Sequence, residues 1–272
     1  MFISQLDKGL AFRALHAGTD AFVIPNPWDA GTAKLLAALG FRALATTSAG
    51  LAFSLGRQDG GGLVSRAETI ANAASIAAAV ELPVAADLEN GFGDDPSEVV
   101  ETILAAAGAG LVGGSIEDAT GNPLHPIYDF GLAVERVAAA AEAAHGLPFP
   151  FTFTARAENY LHGRPDLEDT IRRLQAFERV GADVLFAPGL PDLNCVRLVC
   201  AAVSKPLNVL AGAAFTVAEL QVAGVRRISL GSGLSRIALA AFVRAAEDIA
   251  GTGAFDCLRS ATPYGEMNRR MG

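Results

Sequence analysis

The chain has 272 residues, of which 51% are apolar and 18% are charged, so wholesale disorder is excluded and one large core is expected. The net charge is -8 and the densest basic stretches, VRRIS and NRRMG, are short, so we expect no nucleic-acid partner. No stretch reaches the ~20 apolar residues of a membrane span, so we expect no membrane partner. Charged residues interrupt the apolar residues at the N-terminus, so we expect no signal peptide. We expect a cytoplasmic location, in which Cys195, Cys200 and Cys257 are reduced.

One unit recurs along the chain, in which an Ala- and Leu-rich helical stretch ends at a glycine and a short β-prone run follows. The glycines are Gly40, Gly108 or Gly110, Gly181 and Gly224, and helices commonly end at a left-handed residue. Helical stretches separate successive runs, which is typical of a parallel sheet. In chain order the runs are AFVIPNPWD, RALATTS, LPVAADLEN, LVGGSIED, FPFTFTARAEN, DVLFAPG, PLNVLAG and RRISLGS.

Eight units in about 250 residues predict an α/β fold, a single (β/α)8 TIM barrel. We expect one domain over residues 1–272, with the barrel over about 20–250 and a C-terminal helical tail over about 251–272. A doubly wound open sheet is the alternative, but it usually has fewer strands, and no GxGxxG follows the first run. The tail contains EMNRRMG, for which we expect an extra helix that packs on a neighbouring subunit.

Charged residues follow several of the predicted strands, at the barrel end that holds the chemistry in such folds. Four or five carboxylates cannot all stay ionised in a small site without a cation. The residues are Asp59 after the second run, Asp87 and Glu89 at the end of the third, Glu117 and Asp118 at the end of the fourth, and Arg156 and Glu158 at the end of the fifth.

A hard divalent cation would relieve this repulsion, and Mg²⁺ takes oxygen ligands while keeping several waters. We therefore expect Asp87, Glu89 and Glu117 to bind Mg²⁺, directly or through water, with Mn²⁺ as an alternative ion. The alternative for Glu89 and Asp118 is that they point into solvent or cap helices. No set of His and Cys has zinc spacing, and the four His residues are scattered.

Arg156 is suited to bind a carboxylate or phosphate through its forked donors; the alternative is an ion pair with Glu158 or another barrel carboxylate. The small residues of TTSAG offer backbone N–H groups that could hold an anion. Together, a metal, an arginine and N–H groups indicate a ligand with a carboxylate beside a second oxygen. An α-keto acid fits, because the metal would stabilise its enolate.

Five stretches resemble the isocitrate lyase/phosphoenolpyruvate mutase superfamily: NPWDAGTAKLLAALGF, TTSAGLAFSLGRQDG, ADLENGFGDDP, GGSIED and FTARAEN. The resemblance covers roughly residues 20–240 and implies a Mg²⁺-dependent barrel enzyme that acts on α-keto or 2-hydroxy acids through an enolate. It also implies a homo-oligomer, dimer or tetramer, with the C-terminal helix swapped between subunits. By position it implies a metal shell of Asp59, Asp87, Glu89 and Glu117, substrate binding by Thr47, Ser48, Ala49, Arg156 and Asn208, and a part in the reaction for Asp59, Glu117 and Arg156.

The sequence departs from the family pattern at two places. Glu89 stands where many relatives have Asp. The loop after Asp118 reads EDATGNPLHPIYDF, so it lacks the Cys of the lyases that cleave isocitrate or methylisocitrate, and Ala119 replaces the Lys of relatives that act on phosphonopyruvate. Asn122, His125 and Tyr128 are the loop residues that could donate a proton or contact substrate.

Three functions remain open from the sequence. The first is cleavage of a C–C bond next to an α-keto or 2-hydroxy acid, of which oxaloacetate decarboxylation is the least demanding version. The second is P–C bond chemistry on phosphonopyruvate or phosphoenolpyruvate, against which the missing Lys counts. The third is a catalytically silent protein that binds α-keto acids, which the short loop allows.

Overall fold

The computed structural model describes residues 3–272, so the first two residues of the predicted domain and N-terminal stretch lie outside it. In these residues eight parallel strands form a nearly closed barrel surrounded by helices, which confirms the (β/α)8 fold. The strands are β1 (Phe22–Ile24), β2 (Leu44–Ala45), β3 (Val84–Asp87), β4 (Gly113–Glu117), β5 (Thr152–Arg156), β6 (Val184–Phe186), β7 (Leu207–Leu210) and β8 (Arg227–Ser229).

The helices lie outside the barrel and at its ends. Each predicted β-prone run contains one strand, and a helix follows every strand. The helices are α1 (Gln5–Ala17), α2 (Ala30–Ala38), α3 (Ser48–Ser54), α4 (Arg66–Ala79), α5 (Pro96–Gly108), α6 (Phe130–His145), α7 (Leu167–Arg179), α8 (Leu193–Ala202), α9 (Val217–Val222), α10 (Gly233–Thr252) and α11 (Tyr264–Met271), with a 3₁₀ turn over Asp256–Ser260.

The predicted helix ends are confirmed by the backbone conformation. Gly40, Gly110, Gly181 and Gly224 have φ angles of 86°, 87°, 111° and 102°. Only a residue without a Cβ adopts this region freely, so these glycines let the chain turn from each helix towards the next strand. Gly108, the alternative to Gly110, is the last residue of α5.

Sequential strands pair in register, and β1 pairs with β8. The remaining junction, between β1 and β2, is bridged by a backbone hydrogen bond from Ala45 N to Pro25 O of 3.1 Å. Asn26 joins three strand ends there: its amide nitrogen donates to Thr46 O at 2.9 Å, and its amide oxygen accepts from the backbone of Leu230 at 2.8 Å. The junction is therefore closed by one side chain and a single ladder bond.

Helix α1 closes the amino-terminal end of the barrel, which the sequence analysis did not predict. Phe12 is fully buried and packs with Phe22, Ile24 and Val112 in a separate apolar cluster. A Cβ at Gly113 would lie 2.8 Å from Cε1 of Phe12, so only glycine leaves room for this ring. The amino-terminal end of the barrel is therefore covered by α1, and the carboxyl ends of the strands lie at the opposite end.

The C-terminal tail contains the predicted extra helix, α11. In the single chain α11 packs on α2, and the Lys34 ammonium donates to the carbonyl of Met271. Exchange of this helix between subunits stays a prediction. None of the helices in residues 3–272 has the combination of length and apolarity that a membrane crossing requires.

Candidate active site

The carboxyl ends of β3, β4 and β5 bring three carboxylates onto the guanidinium group of Arg156. Its Nη1 lies 2.9 Å from Asp87 Oδ1, and its Nη2 lies 3.1 Å from Glu117 Oε2 and 2.9 Å from Glu158 Oε1. The register explains the proximity, because Glu117 and Arg156 are direct partners across β4 and β5. The ion pair that was the alternative for Arg156 is therefore present, and it involves three partners.

These contacts hold Arg156 in place and keep it charged. Burial alone would lower the pKa of the guanidinium, but the charges of Glu158, Glu117 and Asp87 raise it above the ordinary value. The guanidinium also lies 5.0 Å from the centre of the Phe186 ring. A fixed cation thus stands at the centre of the site.

The carboxylates around Arg156 exceed what one cation can neutralise. Burial, and then the charges of Asp87 and Asp59, raise the pKa of Glu89 to about 7. Burial and the charge of Asp87 also raise the pKa of Asp59. Burial raises the pKa of Glu117 well above its usual range, and the attraction of Arg156 offsets only part of this effect. A further cation would therefore stabilise the ionised cluster.

The donor set fits a hydrated Mg²⁺ ion. Asp59, Asp87, Glu89 and Glu117 offer oxygen atoms alone, which a hard cation prefers. No three His, Cys, Asp or Glu side chains of residues 3–272 converge as direct ligands of one ion. Mg²⁺ commonly keeps several waters and takes only one or two carboxylates directly, whereas a structural zinc site needs a closed set.

Two cavities that share lining residues contain every residue that was predicted from the resemblance to hold metal, bind substrate or take part in the reaction. A larger cavity of about 880 Å³ lies at the mouth, and a smaller one of about 180 Å³ extends into the barrel. Ser48, Asp59 and Arg156 line both. Glu89 and Glu117 line the larger cavity, and Thr47, Ala49, Asp87 and Asn208 line the smaller one.

The TTSAG stretch uses part of its hydrogen-bonding capacity within the protein. The hydroxyl of Thr47 caps α3 by accepting from Gly50 N at 3.2 Å. The backbone N–H of Ser48 donates to Asp87 Oδ2 at 3.2 Å. The Ser48 amide, one of the N–H groups predicted to hold an anion, therefore orients a carboxylate of the protein.

Asp118 lies away from both cavities. It is 2% exposed, accepts from Glu158 N at 2.8 Å and forms an ion pair with Arg173 Nη1 at 3.0 Å. Burial raises its pKa to about 6, against the opposing effect of Arg173. Asp118 thus anchors the segment that carries Glu158, instead of pointing into solvent or capping a helix.

The loop after Asp118 is compact and contributes little to the larger cavity. Ala119 forms an antiparallel bridge with Ile127, and the Tyr128 hydroxyl donates to Asp94 Oδ1 at 2.5 Å. Of this loop, only Ala119, Thr120 and Gly121 line the cavity, so the candidate proton donors Asn122, His125 and Tyr128 do not.

His162 lines the larger cavity from the loop after β5, and the sequence analysis missed it. Its backbone N–H donates to Glu158 O at 3.3 Å, within the turn that follows Glu158. The only signal in the sequence was its place shortly after Arg156. None of the three cysteines, all within residues 3–272, lines either cavity.

Comparison with known proteins gives consistent matches. The family model for phosphoenolpyruvate phosphomutase matches residues 12–250, which include all eight strands. A crystal structure of a candidate lyase/mutase from Burkholderia cenocepacia J2315 is 54% identical with a TM-score of 0.94, covering 97% of this chain and 95% of that one. The 2-methylisocitrate lyase of Escherichia coli K12 is 29% identical, and the oxaloacetate decarboxylase of Pseudomonas entomophila L48 is 25% identical; each match covers 75% of this chain and 70% of the relative.

Proposed function

Because the chain belongs to the phosphoenolpyruvate phosphomutase family, within the isocitrate lyase/phosphoenolpyruvate mutase superfamily, we propose that it is a Mg²⁺-dependent carbon–carbon lyase acting on an α-keto or 2-hydroxy acid through an enolate. The observation that carries this proposal is the cluster of Asp87, Glu117 and Glu158 around Arg156 at the barrel mouth. The similarity to a methylisocitrate lyase and an oxaloacetate decarboxylase supports cleavage of a C–C bond.

The residues of the site have distinct roles in this proposal. Asp59, Asp87, Glu89 and Glu117 would hold Mg²⁺, which when bound would supply positive charge that stabilises the enolate. Arg156 binds the substrate carboxylate, exchanging part of its contact with the protein carboxylates for it. Ser48, already bonded to Asp87, holds that carboxylate in position.

The proton balance points to the residue that completes the reaction. When oxaloacetate loses CO₂, the electron pair of the broken C–C bond passes to the enolate, and no acid is needed at the departing group. The enolate carbon must then receive a proton to give pyruvate. His162 is the only imidazole of the described residues that lines the larger cavity, so we assign it this proton transfer.

P–C bond chemistry is less well supported. Within residues 3–272 the only guanidinium groups that line the larger cavity are those of Arg66 and Arg156, so it lacks the basic cluster that a doubly charged phosphonate favours. Ala119 stands where relatives that act on phosphonopyruvate have Lys, which also counts against P–C bond chemistry.

The test is pyruvate formation from oxaloacetate, methylisocitrate and related acids with Mg²⁺, compared with Mg²⁺ alone. Turnover above the metal-only rate supports the proposal. Phosphate or phosphoenolpyruvate released from phosphonopyruvate would favour P–C chemistry. Calorimetric, Mg²⁺-dependent binding of oxalate without any turnover would identify a silent binding protein.

A further inference from the structure

A second arginine lies inside the barrel, below the site just described. Arg227 is 5% exposed. Its Nε donates to Asn208 Oδ1 at 3.0 Å and its Nη2 to Thr154 Oγ1 at 3.0 Å, while its Nη1 lies 3.4 Å from His16 Nε2. A guanidinium has five N–H donors. Three are thus engaged, and two have no acceptor among the described residues.

Arg227 differs from Arg156 in having no counterion. Within residues 3–272 no carboxylate pairs with it, and its polar neighbours are an amide, a hydroxyl and an imidazole. Burial and then the charge of Arg156 lower the pKa of Arg227 to about 9, and burial lowers the pKa of His16 to about 3, so His16 is neutral. A buried cation without a partner is costly, which calls for an anion nearby.

The space for that anion is present. Arg227, Thr154 and Ser229 line the cavity of about 180 Å³, far above the ~15 Å³ that one water needs. The cavity continues to Asp87 and Arg156 at the mouth, so an anion can enter from the site.

We propose that the barrel interior is a second anion site, in which the free N–H groups of Arg227 bind a carboxylate group. Asn208 is a positioning residue of this site: its amide oxygen holds Arg227 and its amide nitrogen donates to Ser229 Oγ at 3.0 Å. The carboxylate belongs either to the far end of an acid already bound at Arg156 or to a separate small monocarboxylate. The site requires no turnover, so it stands apart from the proposed reaction.

Calorimetric titration tests the site. Formate is added to protein saturated with Mg²⁺ and oxalate, and the affinity ratio of 2-oxoglutarate to pyruvate is measured separately, because 2-oxoglutarate is not a β-keto acid and does not lose CO₂ as oxaloacetate does. Formate binding that is lost in Arg227→Met identifies a separate monocarboxylate; a preference for 2-oxoglutarate that falls at least about tenfold in Arg227→Met identifies the second carboxylate of one ligand. Arg226→Met, a half-buried neighbour, is the matched control and should behave as wild type.

No formate binding that depends on Arg227, together with an unchanged preference in Arg227→Met, overturns the proposal. If Arg227→Met does not fold, crystals of the wild-type protein soaked in bromide decide the question. An anomalous peak within hydrogen-bonding distance of the Arg227 Nη atoms supports the site, and a cavity without one at saturating bromide refutes it. Neither result depends on turnover, so failure of the proposed lyase activity would be recognised separately.

Discussion

Replacing Glu89 with Gln should stabilise the metal-free protein above neutral pH. Burial and the charges of Asp87 and Asp59 raise the pKa of Glu89 from 4.5 to about 7. A carboxyl group whose folded-state pKa lies above its unfolded value destabilises the fold when ionised. This destabilisation is absent below pH 4.5, grows between the two pKa values and is complete above pH 7. Gln, which has the same shape but no charge, removes it.

The magnitude follows from the size of the shift. The change from 4.5 to about 7 corresponds to roughly 3 kcal/mol at 1.36 kcal/mol per pH unit. Glu89 retains partial exposure, so solvent screening reduces the expected gain to about 2 kcal/mol, or about 4–8 °C in Tm.

Urea unfolding in EDTA at pH 8 and pH 5 measures this effect. Glu89→Gln should exceed wild type by about 2 kcal/mol at pH 8 and by less than about 1 kcal/mol at pH 5. Glu135→Gln, at an exposed position of α6, is the control and should change nothing at either pH. Saturating Mg²⁺ should reverse the order, because wild type binds it more tightly. No gain at pH 8, or an equal gain at pH 5, would show that Glu89 is not in a repulsive cluster.

Three further substitutions probe separate parts of the structure. Arg156→Lys keeps the charge but loses the forked donors, so kcat/KM should fall at least about tenfold; an unchanged value would exclude the assigned contact. His162→Gln should lower kcat about 10²-fold or more, whereas His125→Gln should leave it unchanged; equal effects would refute the assignment of the proton donor. Gly113→Ala places a Cβ 2.8 Å from Phe12 Cε1 and should cost about 1–3 kcal/mol in urea unfolding; a wild-type midpoint would show that α1 can move.

Periodicity made the fold predictable. Each helical stretch ending at a glycine preceded a strand, and positive φ angles at Gly40 and Gly224 show why glycine was the usable signal. Two features were not predictable: the hydrogen bonds by which Asn26 joins the ends of β1, β2 and β8, and the packing of Phe12 inside the amino-terminal end of the barrel. Both depend on contacts between residues far apart in sequence, which a local pattern does not contain.

The residue types of the site were predictable from the sequence, but the ion pairs that these residues form were less so. Strand alternation could have separated Glu117, which faces the cavity, from Asp118, which points the other way. The pairing of Arg156 with three carboxylates required the register of neighbouring strands. His162 lies in a loop, where no periodicity indicates direction.

Proton exchange of pyruvate in D₂O tests the proposed enolate chemistry most directly, because it needs no particular leaving group. Proton NMR follows the methyl signal with Mg²⁺ and either wild type or Asp87→Asn, a variant that keeps an acceptor oxygen but loses the charge. The structure predicts that wild type exchanges the methyl protons faster than Mg²⁺ alone and that Asp87→Asn does not. Exchange no faster than with Mg²⁺ alone, or exchange undiminished in Asp87→Asn, would contradict the assignment of the site.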